Sequence, residues 1–167
     1  MARWSWPDPE VYLKTMPRFA AAFGGAAFSA GSACIAEGGK AAALWLPPDA
    51  MPDGAAIEEI FAETVAQRIA GDVAAVFALM DDYHPRDRPC WYLPLIAADP
   101  THWNTGLGSA ILTQGLARCD AEGCIAYLEG TSLRNVALYQ RFDFRVIGKI
   151  QAGSSPILYP MIREPKP

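Results

Sequence analysis

Between Trp91 and Glu129 the chain changes element type twice within 39 residues, and few folds accommodate that order. Residues 91–98 form a nearly continuous apolar run of strand length, as expected of a strand covered on both faces. An Asp99-Pro100 turn and a short loop follow. Leu107, Ile111, Leu112 and Leu116 then recur at helical spacing until Gly123, and Cys124 to Glu129 is again short, apolar and β-capable. Strand, helix and strand in that order predict one right-handed crossover with its two strands parallel.

Gly106-Leu107-Gly108-Ser109 stands where the loop enters the helix. Glycine lets a ligand approach the backbone. The first free N–H groups of the helix and its positive dipole end suit an anion such as a pyrophosphate. A dinucleotide site would need a third glycine where Ile111 stands, and the turn is longer than that motif allows. Glu129, an acidic strand end at the right distance, is its only support, and a single βαβ unit is visible.

Fourteen Lys and Arg against 18 Asp and Glu, with no basic run, argue against nucleic acid as a partner. Cys34, Cys90, Cys119 and Cys124 lack the paired spacing of a zinc site and read as reduced thiols. No metal is expected. No signal-peptide order opens the chain, and Pro94 and Asp99 interrupt its longest apolar stretch, so a soluble, cytoplasmic, membrane-free protein is expected.

Half the residues are apolar, enough for the core of one domain over 1–167. Val11, Tyr12, Met16, Phe19 and Phe23 predict two short helices broken at Pro7, Pro9 and Pro17. Ser32 to Glu37 and Ala41 to Leu46, joined by Gly38-Gly39, predict a hairpin. Ile57, Ile60, Phe61, Val65 and Ile69 predict a helix over residues 54–70, broken at Gly71, with another from Asp72 to Tyr83. Thr131 and Ser132 can cap a helix running to Phe142, and Phe144 to Ile150 and Ile157 to Ile162 predict closing strands.

The segment LIAADPTHWNTGLGSAIL resembles the pyrophosphate motif of GNAT N-acetyltransferases, Q/R-x-x-G-x-G/A. Gly106 and Gly108 match its glycines, while Trp103 and Asn104 replace the usual Gln/Arg and Gly. YLEGTSLRNVALYQRFDFRVIG is similar to the family's later motif, with Asn135 and Tyr139 in place and Asp143 where glycine is usual. The tail GSSPILYPMIREP and the segment CWYLPLIAADP resemble a branch related to puromycin acetyltransferase.

The resemblance implies an α/β GNAT fold with a mixed, mostly antiparallel sheet flanked by helices. It implies acetyl-CoA as co-substrate and a small-molecule amine as acceptor. Its first strand has no counterpart here, which leaves the sheet edge to another element or to another chain in a homodimer. Ile96, Ala97 and Ala98 would hold the pantetheine arm and acetyl oxygen, and Trp103, Asn104, Thr105, Gly106, Leu107, Gly108 and Ser109 the pyrophosphate. Asn135 and Tyr139 share one helix face beside the cofactor tail, with Tyr139 protonating the departing thiolate. Glu129 is the preferred base, and His84 the alternative by its ordinary pKa. The rival expectation is a non-catalytic acyl-CoA-binding or interaction module built on a degenerate GNAT fold.

Overall fold

A computed structural model describes residues 1–167. The elements in chain order are α1 (Ala2–Ser5), α2 (Pro9–Gly24), α3 (Ala26–Ser29), β1 (Ala33–Ala36), β2 (Ala41–Leu46), α4 (Gly54–Thr64) and α5 (Gln67–Tyr83). They continue as β3 (Cys90–Ala98), α6 (Leu107–Ala121), β4 (Ile125–Gly130), α7 (Leu133–Gln140), β5 (Arg145–Val146) and β6 (Tyr159–Arg163). One six-stranded sheet has the order β1-β2-β3-β4-β6-β5. β3 and β4 are parallel, as the strand-helix-strand pattern predicts, and every other pairing is antiparallel.

Alternation along β3 and β4 divides the core between the two faces of the sheet. Trp91, Leu93, Ala126 and Leu128 pack against Leu107, Ile111, Leu112 and Leu116 of α6. Tyr92, Ile125 and Tyr127 pack instead beneath Phe19 and Phe23 of α2 and Ile57 and Ile60 of α4. The indole of Trp45 fills a notch at Gly115, where a Cβ would collide with it. Arg163 at the end of β6 forms a bidentate pair with Asp120 of α6, at 2.7 and 2.9 Å. β1 is an edge strand whose Ile35 is exposed, and no strand precedes it.

Several boundaries differ from expectation. Pro9 opens α2 under an Asp8 cap, but Pro17 lies inside that helix rather than breaking it. It sits on the solvent side, while Phe19 and Phe23 stack at 5.1 Å in the core, so packing outweighs the lost hydrogen bond. The break expected at Gly71 falls at Val65, which is extended, and Gly71 lies within α5. Thr64 explains the earlier stop: its hydroxyl bonds back to the Ile60 carbonyl and accepts from Trp6 Nε1. α7 ends at Gln140, two residues before the expected Phe142. Of the expected strand from Phe144 to Ile150, Arg145–Val146 forms a strand and Ile150 adds an isolated bridge to Leu158.

Candidate functional site

β3 and β4 are paired over Cys90–Tyr92 and Ile125–Tyr127 and then part. β3 stays paired to β2 through Ala98, across a register irregularity between Leu44 and Leu46 that spans Pro94, a residue with no N–H. Ile96, Ala97 and Ala98 therefore keep their β2 partners while their other edge is open, and they line a groove of about 940 Å³.

α6 starts at the end of this groove. Gly106 caps it at φ +90° and offers no side-chain acceptor. The Ala110 N–H is the first to bond back, to the Gly106 carbonyl, so the N–H groups of Leu107, Gly108 and Ser109 are free for an anion. A Cβ on Gly108 would meet nothing nearer than Leu138, at 3.6 Å. Asn104 takes the left-handed φ of +64° that glycine would adopt. The loop is tied by Thr105 Oγ1 donating to the His102 carbonyl at 2.7 Å and Trp103 Nε1 donating to the Ala98 carbonyl at 3.2 Å.

The opposite wall is α7, capped by Ser132 through the Asn135 N–H. Asn135 Nδ2 donates to Thr131 Oγ1 at 3.1 Å, and both Asn135 and Tyr139 line the groove. Tyr139 packs edge-on to Phe144, and its hydroxyl makes no hydrogen bond within the protein. Burial pushes its pKa up to about 12. Arg134 and Arg141 also face the groove, and no carboxylate does. Arg134 lies 4.8 Å over the Trp103 ring and donates to Asn104 Oδ1 at 3.2 Å, joining α7 to the loop.

Glu129 and His84 lie on the other face of the sheet, together with Tyr92. Tyr92 donates its hydroxyl to Glu129 Oε2 at 2.8 Å, and the His84 ring stands edge-on to Tyr92 at 5.1 Å and to Tyr127 at 5.2 Å. Burial pushes the Glu129 carboxyl up to about 7, opposed by the Tyr92 hydroxyl, whose hydrogen bond favours its charged form. Burial also lowers the His84 pKa, helped by Arg86. The Tyr127 hydroxyl is buried without a hydrogen-bond partner. The structure thus brings the expected cofactor residues together on one side of the parting and Glu129 with His84 on the other. Sequence reasoning passed over Arg134, Arg141 and Tyr92. Strand alternation carries the signal for Tyr92, because parallel pairing of Tyr92 with Tyr127 sets it on the face of Glu129.

Residues 41–144 match the acetyltransferase (GNAT) family. Among solved structures, the histone acetyltransferase HPA2 and related acetyltransferase of Corynebacterium glutamicum is similar at 28% identity and a TM-score of 0.56, covering 81% of this chain. The match spans 64% of that longer chain, less than two thirds of its length. Mosquito arylalkylamine N-acetyltransferase like 5b is similar at 17% identity and a TM-score of 0.49, over 74% of this chain and 68% of its own. Drosophila melanogaster polyamine N-acetyltransferase is similar at 15% identity and a TM-score of 0.49, over 77% and 72% respectively.

Proposed function

The chain belongs to the acetyltransferase (GNAT) family, and from that premise we propose that it transfers the acetyl group of acetyl-CoA directly to the amino group of a small molecule, without a covalent enzyme intermediate. The observation that carries this reading is the parting of β3 and β4 beside the start of α6, which has no side-chain cap. A long anionic thioester fits there: free N–H groups and two arginines at one end, an open strand edge along the way, and an unpartnered phenol near the parting.

When bound, acetyl-CoA supplies an activated acyl carbonyl. The N–H groups of Leu107, Gly108 and Ser109, with Arg134 and Arg141, hold its phosphates. Trp103, Asn104 and Thr105 shape the loop, and Asn135 faces the same groove. The open edge of Ile96, Ala97 and Ala98 orients the pantetheine arm and supplies donors toward the acyl oxygen. Glu129, half-ionised near neutral pH, takes the proton that the attacking nitrogen must lose, with His84 as neighbour through Tyr92. Tyr139, kept protonated by burial, donates to the departing sulfur. The puromycin-like tail adds aminonucleosides to the acceptors worth screening, and a protein lysine is the competing acceptor class. No helix is long and apolar enough to cross a membrane.

Release of free thiol from acetyl-CoA over a panel of amines tests the reaction. Tyr139→Phe keeps the ring packed on Phe144, so acetyl-CoA affinity should stay within about twofold while kcat falls by about 10²–10⁴. Full turnover in this variant removes Tyr139 from the mechanism. Acetyl-CoA binding with no thiol release over the whole panel favours the non-catalytic module.

A further inference from the structure

A second cavity, of about 530 Å³, opens between α4 and α5 on the sheet face that carries Glu129. Its walls are aromatic and aliphatic. Phe61 meets Phe77 edge-on at 5.0 Å, Phe77 meets Phe23 at 5.9 Å, and Phe23 meets Tyr92 at 6.1 Å. This chain of rings leads from the cavity to Tyr92, whose hydroxyl holds Glu129. His84 lines the same end. The charged residues lining the cavity, Glu58 and Asp81, are both acidic, and Asp81 is already paired with Arg86; no Lys or Arg lines it. The polarity is the reverse of the groove across the sheet, where arginines occur and carboxylates do not.

Resting on the transferase reading above, we propose that this cavity is the acceptor site and that the acceptor is a lipophilic amine: an aryl or branched alkyl body in the cavity, a single amino group at the Tyr92 end. The volume is that of a pocket for a drug-sized molecule. Edge-to-face walls suit a further ring. A polyamine would bring a second ammonium into an apolar space whose free carboxylate is Glu58 alone. A peptide would bring backbone amides into a lining that offers them few partners.

Ala74 and Ala78 are exposed on α5, one turn apart, and both line the cavity. Ala74→Trp fills it from the solvent side of a helix, and Ala78→Trp serves as the second variant should the first fail to fold. With tryptamine, spermidine and a short peptide with a free N-terminus as acceptors, wild type should favour tryptamine in kcat/KM. The tryptophan variant should raise the tryptamine KM tenfold or more while acetyl-CoA binding, read by calorimetry, is unchanged. A preference for spermidine or the peptide, or an unchanged tryptamine KM in both folded variants, overturns the cavity assignment and leaves the transferase reading standing. If no amine releases thiol, calorimetric binding of tryptamine decides. Binding to wild type and not to the variant upholds the cavity while the transferase reading falls, and absence of binding overturns both.

Discussion

Asn104 and Asp143 stand where the motifs that these segments resemble usually have glycine, and both are Asx residues. Asn104 has φ +64° and Asp143 φ +65°, and each has an outside partner: Arg134 for Asn104, and Lys166 at 2.6 Å for Asp143. Asn and Asp bear the left-handed conformation better than other side chains, so the departures visible in the sequence leave the loop shape intact. Asn104→Gly should hold coenzyme A affinity within about twofold, whereas Asn104→Ala adds about 1 kcal/mol of backbone strain and should weaken it about fivefold by calorimetry. Glu129 gives a sharper test. Its carboxyl titrates at about 7 in the fold against 4.5 when free. Between those values the native state keeps a proton that the unfolded chain has lost, so stability falls as pH rises through that window. Glu129→Gln removes the penalty: it should be more stable than wild type at pH 8 by on the order of 1–3 kcal/mol, equal to it below about pH 4.5, and slower in turnover by about 10²–10⁴. In wild type, kcat/KM should decline as pH drops below about 7.

At the scale of elements, what was legible in the sequence depended on whether a local signal or a tertiary contact decided the outcome. The apolar run of β3, the periodicity of α6 and the hairpin of β1 and β2 are written in neighbouring residues, and all three form within two residues of expectation. The loop from Trp103 to Ser109, all of which but Thr105 lines the groove, is contiguous, so the sequence alone could name it as a candidate site. The partners of Glu129 and Trp103 were not legible: Tyr92 meets Glu129 through strand pairing, and Arg134 on α7 meets Trp103, 31 residues earlier in the chain. Breaks failed for the same reason. Gly71 lacks helical propensity but nothing in the fold needs a turn there, whereas Thr64 is fixed by a bond to Trp6, 58 residues away. Gly71 is exposed and a Cβ there would meet nothing within 4 Å. Gly71→Ala should therefore stabilise the protein by about 0.5–1 kcal/mol, read as a rise of about 1–4 °C in Tm, with catalysis unaltered.

Across the whole molecule, the sheet separates two surfaces that the proposed reaction would join. α6 and α7 face one layer of core and carry the groove with its two arginines, to which α2 adds Tyr12; α2, α4 and α5 face the other layer and carry the apolar, acid-rimmed cavity. β3 runs from one to the other: Tyr92 lines the cavity, and Ile96, Ala97 and Ala98, beyond the parting from β4, line the groove. The two share no lining residue, so in the proposed reaction a donor in the groove does not bar the entry of an acceptor, nor the reverse. Initial-rate measurements at varied concentrations of both substrates should then give intersecting double-reciprocal lines, and each product should inhibit without a compulsory order of release. Parallel lines would demand a relay nucleophile that carries the acyl group between half-reactions. The thiols are poor candidates for it: Cys34, Cys90, Cys119 and Cys124 are all buried, and burial holds Cys90 and Cys119 up at about 12. On the proposed reading, the sheet is a wall with a slit, and the protein a meeting place with two doors.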